Sequence, residues 1–155
     1  MEDIFRIRRI ADYQFGKGVG DKLFPENVDI AYSKRTGRIR YVYLCGKRLA
    51  TLRPTDGMFS LSIEGAKRIV EGALPARCLV TVKYDVSKFV AEGGDVFAVH
   101  VIKADGEIRP KDEVIVVNGK GEILAVGKAL LSGEEMTAFK VGVAVKVRRG
   151  VFKES

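Results

Sequence analysis

The spacing of short apolar bursts between Val96 and Arg149 restricts this chain more than any other feature. Val96–Ile102 is closed by Ala104-Asp105-Gly106, Glu113–Val117 by Asn118-Gly119-Lys120-Gly121, and Ile123–Leu131 by Ser132-Gly133. Val141-Gly142 then leads into Val143–Val147. β-Branched residues in bursts this short, separated by Gly, Asn and Asp, form strands joined by tight turns. The pattern predicts a small closed or nearly closed β-barrel rather than a layered α/β domain. Ser132-Gly133-Glu134-Glu135 reads as a capping box, so a short helix at 134–139 interrupts the strands. Upstream, Leu79–Tyr84 reads as a strand and Val86–Glu92 as a helix of one to two turns ending at Gly93-Gly94. Within Val96–Ile102, alternation puts His100 on one face with Val96 and Ala98, opposite Phe97, Val99 and Val101.

The first half has a different texture. Residues 4–16 carry Ile4, Phe5, Ile7, Ile10, Tyr13 and Phe15 at helical spacing, with Arg6, Arg8 and Arg9 on the other side. Gly16-Lys17-Gly18-Val19-Gly20 breaks that helix and reads as a flexible connector, since neither GxxxxGK nor GxGxxG is met. The other reading of these glycines is a nest of N–H groups for an anion. Val28–Tyr32 and Arg38–Leu44 form a hairpin around Ser33–Gly37. Alternation places Arg38 and Arg40 on one face with Val42 and Leu44, and Ile39, Tyr41 and Tyr43 on the other. Arginine and tyrosine sharing a small hairpin suits nucleic-acid binding, and equally suits a solvated hairpin with one core face. Arg48–Leu52 and Met58–Ile63 continue the meander around the Arg53–Gly57 turn. A short helix at Glu64–Gly72 then turns Ala66, Ile69 and Val70 inward. The fold expected is an α+β N-terminal domain at 1–75 followed by a small, mostly-β pseudo-barrel at 76–150. Leu74-Pro75-Ala76-Arg77 is the boundary, and 151–155 is a tail ending in the polar Lys153–Ser155.

The net charge is +7, the balance expected of a protein that meets a polyanion. Residues 1–75 hold 14 Lys and Arg against 9 Asp and Glu, a net +5, so the excess sits ahead of the barrel. The basic groups are Arg6/Arg8/Arg9, Lys34/Arg35/Arg38/Arg40, Lys47/Arg48/Arg53 and Lys146/Arg148/Arg149. Cys45 and Cys78 are too far apart for a CxxC motif, and their apolar surroundings predict buried thiols. The single histidine and two scattered cysteines make no zinc set, and no nucleophile-elbow or kinase pattern occurs. Gly121 to Lys128 resembles a phosphate loop, but it is one residue too long and ends in Ala129. No apolar run nears the roughly 18 residues of a membrane span, and the charged N-terminus lacks a signal peptide's apolar core. The expectation is therefore a cytoplasmic, non-catalytic protein without cofactor or metal.

Four segments in order, FVAEGGDVFAVHVI, EIRPKDEVIVVN, LAVGKALLSGEEM and GVAVKVRRG, resemble the PUA domain over about residues 77–150. That module is named for pseudouridine synthases and archaeosine transglycosylases. RRIADYQFGKGVGDKLFP and TGRIRYVYLCGKRLATLRPTDGMFSL resemble the domain before PUA in archaeal tRNA-guanine (archaeosine) transglycosylases. The family's catalytic TIM barrel, with its nucleophilic aspartate and zinc cysteines, has no counterpart in this sequence. The resemblance implies that these domains grip tRNA, the PUA domain holding the acceptor stem and its CCA end. Carried across by position, it implies RNA contacts from Lys88, Gly93, Gly94, Asp95 and Phe97, with Lys146 and Arg148 on the last strand. Core packing is the other reading of Phe97. Arg38, Arg40 and Arg53 are the phosphate contacts expected from the first domain. The function expected is recognition of structured RNA, most of all tRNA, on behalf of a separately encoded transglycosylase-like enzyme. The alternative is an adaptor that docks a protein of RNA modification or of the ribosome.

Overall fold

The structure is a computed structural model and describes residues 2–72 and 76–152. Its contacts divide the chain into two compact units, Met1–Ala76 and Arg77–Ser155. Leu74 and Pro75 of the expected boundary, and the tail at Lys153–Ser155, lie outside the described residues.

In the first unit, α1 (Glu2–Phe15) buries Ile7, Ala11 and Phe15, a strict four-residue spacing along one stripe. Phe5 and Tyr13, which the sequence counts with that stripe, point to solvent. The glycine segment after it is no flexible connector. Gly18 takes a left-handed φ of 87° and starts a second helix, α2 (Val19–Leu23). The Gly20 N–H donates to Asp12 Oδ1 at 2.6 Å, and a Cβ on Gly20 would lie 2.2 Å from the Arg8 carbonyl oxygen. Glycine is needed there because α2 rides directly on the backbone of α1, which also commits the amide that an anion nest would need.

Four antiparallel strands follow in the order β1 (Asp29–Tyr32), β2 (Ile39–Leu44), β3 (Lys47–Leu52) and β4 (Phe59–Leu61). The β1–β2 register slips between Ala31 and Tyr32, passing from Tyr41 to Ile39 and leaving Arg40 in a bulge. Strict alternation therefore fails in β2. Ile39 and Val42 are both buried, and Ile39 does not share a face with Tyr41 and Tyr43 as expected. A second slip in the β2–β3 pairing lets Leu49 and Ala50 both reach the core. Between β2 and β3, Cys45 (φ 52°) and Gly46 (φ 81°) form a two-residue turn of the mirror-image kind that suits hairpin twist. Cys45 is therefore exposed, contrary to expectation, while Cys78 is buried as expected. Ser62 caps α3 (Ile63–Glu71), its hydroxyl accepting from the Gly65 N–H, so the last strand ends sooner than the apolar pattern suggests. Phe15, Leu23, Phe24, Phe59 and Ile69 make the centre of this core.

The second unit is a six-stranded sheet in the order β6-β10-β9-β8-β5-β7. Its strands are β5 (Leu79–Val82), β6 (Val96–Phe97), β7 (Val101–Ala104), β8 (Glu113–Asn118), β9 (Ile123–Ala129) and β10 (Val143–Gly150). The β5–β8 pair is parallel and the others are antiparallel. Val96–Ile102 is not one strand. A 3₁₀ turn at Ala98–His100 splits it into β6 and β7, the two edges of the sheet, so the chain itself joins those edges into a barrel. Two short helices complete the unit, α4 (Ser87–Ala91) before β6 and α5 (Gly133–Ala138) before β10. Ser132 and Glu135 form the capping box predicted for α5. Val80, Val82, Ile108, Val114, Val116, Leu124, Met136 and Val145 fill the barrel.

Candidate nucleic-acid interface

The glycine pair is best understood from α4. The Gly93 N–H donates to the Val90 carbonyl and the Gly94 N–H to the Phe89 carbonyl, with Gly93 at φ 106°. This is a Schellman cap, which satisfies the last carbonyls of the helix and reverses the chain. Both amides are thereby committed, so neither is open to a phosphate. Gly94 serves a second purpose: a Cβ there would lie 2.3 Å from the Phe89 ring. Only a hydrogen at that position lets the ring lie over the loop.

Phe89 is 54% exposed and Phe97 is 40% exposed, and their rings stack at 6.5 Å between centroids and 25° between planes. His100 meets Phe97 edge-on at 6.2 Å. Half-exposed aromatic rings assembled this way leave π-surface for a partner to cover, because their own contact hides only part of each ring. Phe97 belongs to this surface rather than to the core. Phe89 is not among the residues expected from the sequence, where its one signal is an aromatic two residues before the end of a glycine-capped helix. Lys88 is exposed beside it on α4.

Asp95 faces inward to β10, its carboxylate accepting from the Val147 N–H at 2.9 Å and lying 3.6 Å from the Lys146 ammonium. It fastens the loop to the last strand, and Lys146 keeps most of its side chain in solvent. Arg148 sits where the β10–β9 register slips between Val147 and Arg149. The bulge sends its guanidinium across to β8, where both terminal nitrogens donate to the fully buried Glu113 carboxylate, Nη1 at 2.9 Å. Its charge is largely answered within the protein. The Cys78 thiol is pushed well above its usual range, first by burial and then by the negative charges of Asp105 and Glu113.

In the first unit, a groove of about 740 Å³ brings together Arg6 of α1, Arg38, Arg40 of β2 and Arg53, with Asp3 and Tyr32 at one side. Arg53 is held by Asp56 at 2.9 Å. Burial pushes the Asp56 carboxyl upward, but hydrogen bonds from Arg53 and the Met58 N–H, with the guanidinium charge, hold it below its usual value. Arg40 leans on the Tyr41 ring at 5.7 Å. Among the described residues, no helix is long and apolar enough to cross a membrane, and no cluster of three His, Cys, Asp or Glu could hold a metal.

Comparison with known proteins decides the family of each unit. Residues 5–75 match the patch-forming domain C2 of tRNA-guanine transglycosylase, and residues 79–151 match the PUA domain. The chain is a transglycosylase C2 domain followed by a PUA domain. The PUA domain is an RNA-binding fold. Over 98% of its length the chain is 43% identical to the tRNA-guanine(15) transglycosylase of Methanothermobacter thermautotrophicus. Over 96% it is 50% identical to that of Pyrococcus furiosus. It spans about a quarter of those relatives, 23% and 25% respectively. A conserved PUA domain protein from Thermoplasma acidophilum shares the fold with a TM-score of 0.69 at 22% identity, covering 99% of this chain and 91% of that one.

Proposed function

We propose that this chain is a non-catalytic tRNA-binding module of the cytoplasm. In this reading it serves archaeosine modification and works beside a separately encoded transglycosylase-like enzyme. The observation that carries the reading is the exposed Phe89–Phe97 pair, with the half-buried His100 against it, on a PUA domain that also carries Lys88 and Lys146. RNA ends and loops are recognised by stacking unpaired bases on aromatic side chains, while lysines hold the phosphates. A 3′ terminus emerging from the acceptor stem fits that chemistry. The C2 unit adds charge through Arg38 and Arg40, whereas Arg53, expected to join them, is answered by Asp56. Gly93, Gly94, Asp95 and Arg148 contribute by holding this surface in shape, not by donating to RNA.

The test is binding of intact tRNA against the same tRNA trimmed of its 3′ single-stranded end. Tighter binding of the intact molecule, lost on Phe97→Ala, is the expected result. Equal affinity for both tRNAs contradicts end recognition. Exposed Val99, Ile102, Phe139 and Val141 favour a second reading, in which the PUA unit docks a protein. Loss of tRNA binding on charge substitutions at those four positions tells against it, because the patch then serves RNA.

A further inference from the structure

We infer that the groove of the C2 unit is a built phosphate-ester pocket, in which Arg6, Arg38 and Arg40 hold the phosphate and Tyr32 covers one side. Two separate segments supply these guanidiniums: the first turns of α1, and the start of β2, where Arg38 precedes the strand and Arg40 lies in its bulge. Nothing in sequence spacing draws Arg6 towards Arg38. Only the fold does so, and like charges brought together oppose that convergence unless an anion lies between them. Protein carboxylates supply only one unpaired charge against these three, that of Asp3. Among the described residues Arg6, Arg38 and Arg40 pair with no acid. Asp3, the acid that lines the groove, accepts from the Tyr32 hydroxyl. Arg53 is the member already neutralised, by Asp56, and acts as a wall.

The volume, about 740 Å³, is in the range of small-ligand sites and exceeds what a lone phosphate needs. Guanidinium forks match phosphate oxygens in pairs, which a diffuse lysine-rich face does not. Tyr32 is 48% exposed at the groove edge and presents a ring to whatever the phosphate carries. The pocket thus fits a nucleotide phosphate, either a terminal phosphomonoester or a phosphodiester within a strand. It rests on the RNA-binding reading only for the source of that phosphate.

The full chain is titrated with inorganic pyrophosphate at constant ionic strength, following the arginine Nε–H resonances. Saturable shifts of Arg6, Arg38 and Arg40 are expected in the parent, while in the Arg6→Gln/Arg38→Gln variant the remaining Arg40 should not shift, and chloride moves none of them. Both substituted side chains are exposed, and unchanged thermal melting of the variant confirms its fold. A short single-stranded RNA with a 5′-phosphate is compared with the same strand ending in a 5′-hydroxyl. A preference for the phosphorylated strand that the variant loses assigns the terminal ester. Equal binding of both strands, with the variant's log K against log salt slope reduced by about 1–2, assigns the backbone diester. If neither strand binds but pyrophosphate still shifts the three arginines, the pocket stands and the RNA source fails. Absence of saturable shifts at these arginines overturns the pocket. If those shifts are absent while RNA binds with a slope the variant leaves unaltered, the pocket fails and the RNA reading itself stands.

Discussion

Phe89 leaves more than half of its surface in solvent while its ring covers Gly94 and faces Phe97. An exposed phenylalanine contributes little to folding, so Phe89→Ala is expected to change stability by no more than about 0.5 kcal/mol. It should nonetheless weaken binding of a single-stranded RNA end by about 1–3 kcal/mol, the worth of one stacked base. Gly94→Ala reaches the same outcome by another route, because the added methyl displaces the ring. Isothermal titration of both variants checks this. Loss of binding in Phe89→Ala with full binding in Gly94→Ala contradicts the arrangement. The two basic residues of β10 separate in the opposite way. Arg148→Ala strands the buried Glu113 carboxylate and should cost roughly 2–3 kcal/mol of stability, somewhat under a fully buried pair because Arg148 is partly wet. Lys146→Ala removes an exposed charge and should cost under about 0.5 kcal/mol, while lowering RNA affinity. Denaturant unfolding of the two variants distinguishes them.

At the scale of elements, the β2–β3 hairpin turns on two left-handed residues, one of which carries a side chain. Cys45→Asn keeps the turn and relieves the backbone, since asparagine accepts this conformation more readily. It should raise stability by up to ~1 kcal/mol, read as a higher melting temperature. A drop in melting temperature would mean that the thiol packs where the structure shows it exposed. Strands, turns and the α5 capping box were legible in the sequence because each depends on residues a few positions apart. Bulges were not. The slip at Arg40 and the one at Arg148 depend on partner strands, and the first takes Ile39 off the face that alternation alone assigns to it. The 3₁₀ turn at Ala98–His100 escaped for a related reason: β-branched residues on both sides read as a continuous strand although barrel closure requires a corner there. The glycine segment at 16–20 looked like a connector because its packing partner, the Arg8 carbonyl, belongs to another helix turn.

For the molecule as a whole, the charge excess noted in the first half of the sequence takes a definite form in the C2 unit, where arginines from separate segments line one groove. The PUA unit has a smaller excess and offers aromatic surface instead. The two units thus present different chemistry to a polyanion: guanidiniums for phosphate in one, rings for unpaired bases in the other. Which arginines converge was not legible, since Arg6 and Arg38 meet only through the docking of α1 on the sheet. The PUA likeness was legible because its motifs are contiguous. Recognition of tRNA by the two units together is read from the salt dependence of binding, with duplex DNA of equal charge as control. Tight tRNA binding is expected, with log K falling steeply with log salt, and weaker binding to the duplex, which offers no unpaired end. Equal affinity for tRNA and duplex at every salt concentration, or no tRNA binding at low salt, would contradict it.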